Sequence, residues 1–311
     1  MKYLIFLLLF SSTAIFAWPI KEQVLFDEGE IKQNSHQSWK EMAGTRSKRI
    51  KFLLKTLKKS PRGAELIRRA DKKAKREGKS IFSIIVPGPH SHLDTTLVRH
   101  FSADNPLDVN YEFKSKVYID HDLSLKDAVL DLAHELVHYL SKKPFNPYEQ
   151  LGKKDAHDFV RDMIEGKGGE VEAFLMECAV MSDLYPEKLK DELPCRRVLQ
   201  GRNYKEMYYR AKSMFYQLGK YRTSFSFELN KYYLDDAQFP EVSGEDEKFI
   251  SSAYGTPYPL AALYEYGEMM RRVCINDRSR LEGIQDNSNS KAKRVLKVFK
   301  KQCAPYLSYQ N

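Results

Sequence analysis

The segment His134-Glu135-Leu136-Val137-His138 places two histidines four residues apart, with a glutamate directly after the first. On a helix, side chains four residues apart project from the same face, so a ring nitrogen of each histidine can bind the same Zn²⁺ ion. From the neighbouring position, the Glu135 carboxylate can take a proton from a metal-bound water without being a ligand. If the segment is helical, it therefore predicts a zinc site with its own general base.

The residues around this motif have the pattern of a capped amphipathic helix. Ser124 to Asp127 has the form of a capping box, and Pro144 cannot continue a helix, so we expect a helix from about Ser124 to Lys143. Apolar residues recur through it at helical spacing: Leu125, Val129, Leu132, Ala133, Leu136, Val137 and Leu140. Upstream, the alternation of polar and apolar residues from Lys114 to Asp120 predicts a half-buried strand.

A catalytic zinc site needs a third protein ligand and one position open for water. Gly168-Gly169 predicts a turn that leads into a second helix, with Glu170 in its first turn. Here the chain resembles the gluzincin branch of the zincin metallopeptidases, in which a glutamate on a second, downstream helix is the third ligand and a small residue often follows three positions later. Glu170 and Ala173 fit that pattern. Glu172 is the alternative, since only one of the two glutamates can face the metal.

The resemblance covers about residues 114 to 185 and has one departure. Many gluzincins place an acidic residue or Asn four positions after the ligand glutamate, where it steadies a zinc-bound histidine, whereas this chain has Phe174. Another residue must then orient the histidine. Asp131, Glu172 and Glu177 are the candidates.

Five further residues lie in chemically interesting positions. His157, Tyr254 and Tyr258 are candidates to donate a hydrogen bond to the oxyanion that forms when water attacks a peptide carbonyl. His90 and His92 lie in a segment rich in Pro and Gly. We expect them in an exposed loop rather than in a second metal site, because no cysteine lies nearby.

The beginning of the chain has the three-part form of a secretory signal. Lys2, an apolar run from Leu4 to Phe10 and small residues ending at Ala17 predict a signal peptide over residues 1–17, followed by no segment that could cross a membrane. We therefore expect an exported, periplasmic or secreted protein. The even set of cysteines agrees with an oxidising compartment and predicts two disulfides, with three pairings open: Cys178, Cys195, Cys274 and Cys303.

The formal net charge of +9 is concentrated near the N-terminus, where residues 40–79 contain 16 Lys and Arg against 4 acidic residues. Apolar residues at helical spacing predict two helices here, separated by Ser60-Pro61-Arg62-Gly63. We expect their charges to form a solvated face on helices that pack over the catalytic core. Few aromatics interleave with the charges, so no nucleic-acid partner is expected. Whether these helices are an inhibitory pro-segment is left open.

The remaining pattern predicts a small sheet and a helical C-terminal region. Ile81 to Val86 predicts a strand that ends at Pro87, and Thr96 to Phe101 predicts a second. Helical periodicity then recurs in Tyr204 to Leu218, Leu260 to Cys274 and Lys291 to Lys300.

These elements predict an α+β, predominantly helical fold. A zincin-like catalytic core, with a small mixed sheet packed on the metal helix, would carry N- and C-terminal helical additions. The expected division is a signal peptide over 1–17, a basic helical segment over 18–79, the catalytic core over 80–185 and a helical region packed on it over 186–311.

The expected function is that of an exported zinc metalloendopeptidase that hydrolyses protein or peptide substrates. His134, His138 and Glu170 would hold one Zn²⁺ ion, and Glu135 would act as general base. Two alternatives remain open. One is a zinc amidase or peptidase acting on cell-wall peptides, and the other is a non-catalytic exported binding protein that retains the motif.

Overall fold

The computed structural model describes residues 38–41, 45–101, 109–146, 155–282 and 290–307. The predicted signal peptide lies outside these ranges. The described part is predominantly helical and has a three-stranded mixed sheet, which confirms the α+β class. Its strands are β1 (Ile85–Gly88), β2 (His92–Phe101) and β3 (Val109–Asp120). Its α-helices are α1 (Arg46–Leu57), α2 (Pro61–Arg76), α3 (Ile81–Ile84), α4 (Leu125–Ser141), α5 (Ala156–Glu165), α6 (Glu170–Leu184), α7 (Leu193–Leu199), α8 (Tyr204–Phe215), α9 (Arg222–Lys231), α10 (Tyr258–Glu282) and α11 (Ser290–Leu307).

The sheet has the strand order β1-β3-β2, with β1 parallel and β2 antiparallel to β3. The predicted strand from Ile81 to Val86 is wrong over its first four residues, which form the short helix α3. Ser80 and Ser83 cap each other there and begin a helical turn. The strand then runs through Pro87, which is tolerated because β1 lies at an edge of the described sheet.

Strand β2 begins earlier than predicted. It includes His92, which was expected in a loop, and the His92 ring stacks on Tyr118 of β3 with ring centroids 4.8 Å apart. Strand β3 contains the predicted segment from Lys114 to Asp120 and packs against α4. The small mixed sheet therefore lies on the helix that carries the histidine motif.

The two basic helices predicted near the N-terminus are present as α1 and α2. Thr45 caps α1, and Ser60 caps α2 directly before Pro61, which occupies the first helical turn. Both helices pack against α4. The side chains of Leu53 in α1 and Ile67 in α2 are buried in the shared core.

The hydrophobic core is continuous along the described chain. One cluster of buried apolar residues runs from Trp39, before α1, to Met270 in α10. It crosses the boundaries expected at 79/80 and 185/186, so those boundaries separate stretches of sequence rather than separate cores. Burial on this scale is the main favourable term in folding.

The four cysteines form two disulfides, and the structure selects one of the three possible pairings. Cys178 of α6 is bonded to Cys195 of α7, and Cys274 of α10 to Cys303 of α11. Within the described ranges, no helix combines the length and the apolar character that crossing a membrane requires.

Candidate metal centre

Two neighbouring helices, α4 and α6, carry the predicted site residues. The α4 helix begins after Ser124, whose hydroxyl accepts a hydrogen bond from the Asp127 amide, and ends at Ser141, close to the predicted bounds. Lys142 is already extended, two residues before Pro144. The α6 helix begins directly at Glu170 and packs along α4. The side chains on the facing sides of the two helices therefore meet.

His134 and His138 of α4 and Glu170 of α6 converge. One potential ligand atom from each residue lies within 4.8 Å of the other two. His134 Nε2 is 3.2 Å from Glu170 Oε2, and His138 Nε2 is 3.5 Å from Glu170 Oε1. The structure thus brings together the three residues predicted as ligands.

This cluster fits a divalent metal ion in its chemistry and its dimensions. Two imidazole nitrogens and one carboxylate are a ligand set of catalytic zinc sites. Ligands of a tetrahedral zinc ion lie about 3.4 Å apart when each is about 2.0–2.1 Å from the metal. The two nitrogens lie 3.2 and 3.5 Å from different oxygens of Glu170, which is close to that spacing. His138 and Glu170 are buried, which limits competition from bulk water. The cluster can therefore hold a metal ion.

Gly168 orients the His138 ring. His138 Nδ1 donates to the Gly168 carbonyl oxygen at 2.7 Å, which directs Nε2 of that ring towards Glu170. Gly168 has a φ of +70°, and a Cβ there would overlap the backbone of Ser141 and Lys142. The glycine thus allows the loop before α6 to approach the end of α4.

Glu172 supports this loop rather than joining the cluster. Its Oε2 accepts a hydrogen bond of 2.7 Å from the Gly168 amide. Glu170, two residues earlier on α6, is the glutamate that faces the histidines. The two side chains point in different directions, as the helical rotation of about 200° between them requires.

Glu177 orients the His134 ring. Its Oε2 accepts from His134 Nδ1 at 3.2 Å, which directs Nε2 of that ring towards Glu170. Glu177 follows Glu170 by seven residues, about two helical turns, so both carboxylates lie on one face of α6. Phe174, at the position that gluzincins often reserve for this function, packs against Phe215 and Phe249.

Glu135 is buried beside the cluster with unused hydrogen-bonding capacity. Its side chain is 6% exposed, and its Oε2 has no hydrogen-bond partner among the described residues. Buried carboxylate oxygens are usually paired, so an unpaired one marks a position where a water or a ligand belongs. This is the arrangement expected of a general base.

The charges within the cluster couple the protonation of Glu170 to that of the histidines. Burial would raise the pKa of Glu170, but the adjacent His138 and His134 hold that pKa well below its usual range. Burial lowers the pKa of His134, but the carboxylates of Glu170 and Glu177 outweigh it and raise that pKa. Glu170 is consequently ionised, as a metal ligand must be, whereas His134 must lose a ring proton before it can bind a metal ion.

Asp131, the third candidate for orienting a histidine, lies one turn before His134 and bonds to Ser91. Its pKa is raised to about 7. Burial is the main cause and the Glu177 charge adds to it, while the Ser91 hydrogen bond acts in the opposite direction. Asp131 therefore interacts with the site through the charge of Glu177.

Tyr258 is the oxyanion candidate whose pKa is affected by the charges of the cluster. Burial raises its pKa well above the usual value, and the charges of Glu170 and Glu135 raise it further. The hydroxyl thus remains a hydrogen-bond donor. The other two candidates pack elsewhere, the His157 ring against Phe239 and the Tyr254 ring near Tyr264.

Two residues near the cluster were not identified from the sequence. Lys142 Nζ is 4.0 Å from Glu170 Oε1. Glu265 of α10 is a half-buried carboxyl whose pKa is raised, mainly because desolvation outweighs the lowering effect of the Lys142 charge. Lys142 follows His138 by four residues, a spacing that places both on one face of a helix, whereas Glu265 is more than a hundred residues away and gave no signal.

No model of a protein family matches the chain, and no curated protein or solved structure matches it. The geometry and chemistry of the cluster are therefore the only indications of function in the described residues.

Proposed function

We propose that the protein is an exported zinc metalloendopeptidase with a zincin-like catalytic core of the gluzincin type. The observation that carries the proposal is the convergence of His134, His138 and Glu170 from two packed helices, with the unpaired carboxylate oxygen of Glu135 beside them. A structural ion pair would account for the first three residues. It would not by itself account for the buried Oε2 atom of the adjacent residue Glu135, which has no partner among the described residues.

In this proposal His134, His138 and Glu170 hold the metal ion. When bound, Zn²⁺ supplies Lewis acidity, which lowers the pKa of a water at the open position and polarises the substrate carbonyl. Glu177 and the Gly168 carbonyl keep the two imidazole rings in place by binding their Nδ1 atoms. Each ring would then present Nε2 to the metal ion once that nitrogen carries no proton.

Glu135 accepts a proton from the attacking water and passes it to the leaving amine. Tyr258 donates its hydroxyl proton in a hydrogen bond to the oxyanion that develops on the carbonyl. Glu135 is buried and Tyr258 is half-buried, and the reduced contact with water strengthens their electrostatic effects.

Export is the second part of the proposal. The two disulfides fit an oxidising compartment, and residues 1–17 have the form of a cleaved secretory leader. Both features support a periplasmic or secreted location.

The test is Glu135→Gln, assayed on casein with and without a chelator. The variant should bind as much zinc as the wild type and lose roughly 10²- to 10⁴-fold in kcat, because the amide cannot accept the proton. Glu187→Gln, at an exposed position, is the matched control and should remain fully active. Full activity of Glu135→Gln, or wild-type hydrolysis that survives removal of the metal, would show that the mechanism is wrong.

A parallel assay on purified cell-wall material separates the substrate classes. Zinc-dependent release of wall peptides, with casein left intact, would favour the amidase alternative. A zinc-bound protein that hydrolyses neither substrate would favour the non-catalytic alternative.

A further inference from the structure

Helix α1 presents a row of lysines on one face. Lys48, Lys51 and Lys55 of the helix and Lys58 at its C-cap are exposed. We call these four residues the α1 lysine row. Their spacings of three, four and three residues keep them within a narrow stripe, about 15 Å long at the helical rise of about 1.5 Å per residue.

The α1 lysine row has no acidic counterpart in the described structure. No carboxylate lies within ion-pair distance of its four ammonium groups in the described ranges, and α1 itself contains no acidic residue. Helix α2 differs, because Arg68 pairs with Glu65 and Lys75 with Asp71. The row is therefore a concentrated positive charge rather than part of a mixed surface.

This arrangement does not help α1 to fold. Like charges three and four residues apart on a helix repel one another. Arg46, Lys48 and Arg49 occupy the first turn, where the helix dipole favours acidic residues. The apolar face of α1 is fixed in the core by residues such as Leu53, so the row is held on a rigid surface. A negatively charged partner would relieve the repulsion.

The chemistry of the row favours a lipid surface over a nucleic acid. Lysine ammonium groups act as point charges. They lack the planar guanidinium group with which arginine forms paired hydrogen bonds to base edges. Exposed residues of α1 include no aromatic platform for stacking single-stranded bases. Phe82, which is 43% exposed, lies on α3, and that helix packs against both α1 and α2. Basic residues beside an exposed aromatic are typical of peripheral membrane attachment.

We propose that the α1 lysine row and Phe82 dock the protein on a membrane surface that contains acidic phospholipids. The apolar face of α1 is committed to the core, so attraction is electrostatic, with Phe82 as the apolar contact. Because α1 also packs on α4, docking holds the candidate metal centre in a fixed orientation to the membrane. The proposal does not depend on hydrolytic activity.

The test is co-flotation of the purified protein with vesicles of phosphatidylcholine alone or mixed with phosphatidylglycerol. The wild type should float only with the mixed vesicles and dissociate at high salt. The variant K48Q/K51Q/K55Q/K58Q should bind at least a hundredfold more weakly, since each lysine near an anionic surface contributes roughly fivefold to the partition coefficient. Its thermal transition should not fall, because these lysines lack partners that stabilise the fold.

A control variant with the same change in net charge tests whether the position of the lysines matters. K190Q/K205Q/K220Q/K248Q removes four exposed lysines from scattered positions and should retain most of the binding. Equal losses in both variants would show that net charge alone acts, and would overturn the proposal. So would unchanged binding of the row variant.

Phe82→Ser and duplex DNA separate lipid from other polyanions. The serine variant should bind the mixed vesicles more weakly than the wild type, because the apolar contact is lost, and should bind soluble polyphosphate equally well. Unchanged vesicle binding would exclude Phe82 from the docking surface. Wild-type protein that binds duplex DNA and fails to float with phosphatidylglycerol would assign the row to nucleic acid and overturn the membrane proposal.

Discussion

His138 Nδ1 lies 2.7 Å from the carbonyl oxygen of Gly168, and this hydrogen bond joins the helix that carries the histidine motif to the loop before α6. The Gly168 amide, on the other side of the residue, donates to Glu172. A backbone carbonyl thus does for His138 what the Glu177 carboxylate does for His134. With both Nδ1 atoms engaged, both Nε2 atoms face Glu170.

Replacing Gly168 by alanine should damage the cluster through the backbone. The residue has a φ of +70° and no room for a Cβ beside Ser141 and Lys142, so the loop must move away from His138. We expect metal affinity to fall roughly 10- to 100-fold and the melting temperature to drop. Metal titration and thermal unfolding measure both effects. Gly244→Ala, where a Cβ meets nothing within 4 Å, should behave like the wild type. Normal metal binding by Gly168→Ala would contradict this account of His138.

Removing the Glu177 side chain should weaken metal binding without unfolding the protein. Glu177→Ala frees the His134 ring to rotate, and loss of such a partner typically costs about 10- to 100-fold in metal affinity. Glu177→Gln keeps an acceptor for Nδ1 and should recover part of that loss. Competition titration with a chromogenic chelator measures the affinities. An unchanged affinity in the alanine variant would exclude Glu177 as the positioning residue.

Tyr258→Phe tests the oxyanion role within the proposed peptidase. Loss of one such donor typically lowers kcat about 10²- to 10³-fold, while KM and zinc content should change little. Tyr254→Phe is the matched control, because that ring packs near Tyr264 instead. Steady-state kinetics on a peptide substrate give both parameters. The opposite pattern, with Tyr254→Phe inactive and Tyr258→Phe active, would reassign the donor.

Leu57→Ala tests whether the basic helices belong to the fold or form a removable pro-segment. Leu57 is fully buried in the shared core, so its truncation should cost about 2–5 kcal/mol in unfolding free energy. Because the core is continuous, unfolding should remain a single transition at a lower denaturant concentration. Denaturant titrations followed by circular dichroism and by tyrosine fluorescence measure the number of transitions and their midpoints. Two separated transitions, with only the first affected by the substitution, would support a detachable N-terminal unit.

Local signals in the sequence predicted the parts of the fold that depend on neighbouring residues. Ser124 and Pro144 bounded the helix of the histidine motif closely, and Ser60-Pro61 marked the start of α2. The strand predicted directly after Ser80 was wrong because a short run of Ile and Phe is compatible with a strand or with a buried helical turn. The reciprocal caps of Ser80 and Ser83 favour the helical turn.

The candidate site was predictable to the extent that it depends on helical spacing. That spacing identified His134 and His138. Glu177 follows Glu170 by seven residues, so both lie on one face of α6, and this spacing favours Glu177 among the candidates for orienting a histidine. The Gly168 carbonyl could not be found in this way. Its contact depends on how the loop folds back onto α4, and the approach of Glu265 and the choice of disulfide partners likewise depend on tertiary packing.

Metal analysis of the purified protein, supplied with zinc and then desalted, tests the central claim most directly. The wild type and Glu172→Gln should each retain one zinc ion per chain, whereas His134→Ala, His138→Ala and Glu170→Ala should retain little, because each lacks a ligand of the cluster. A wild-type protein that binds no zinc, or a Glu170→Ala variant that binds it as tightly as the wild type, would contradict the claim.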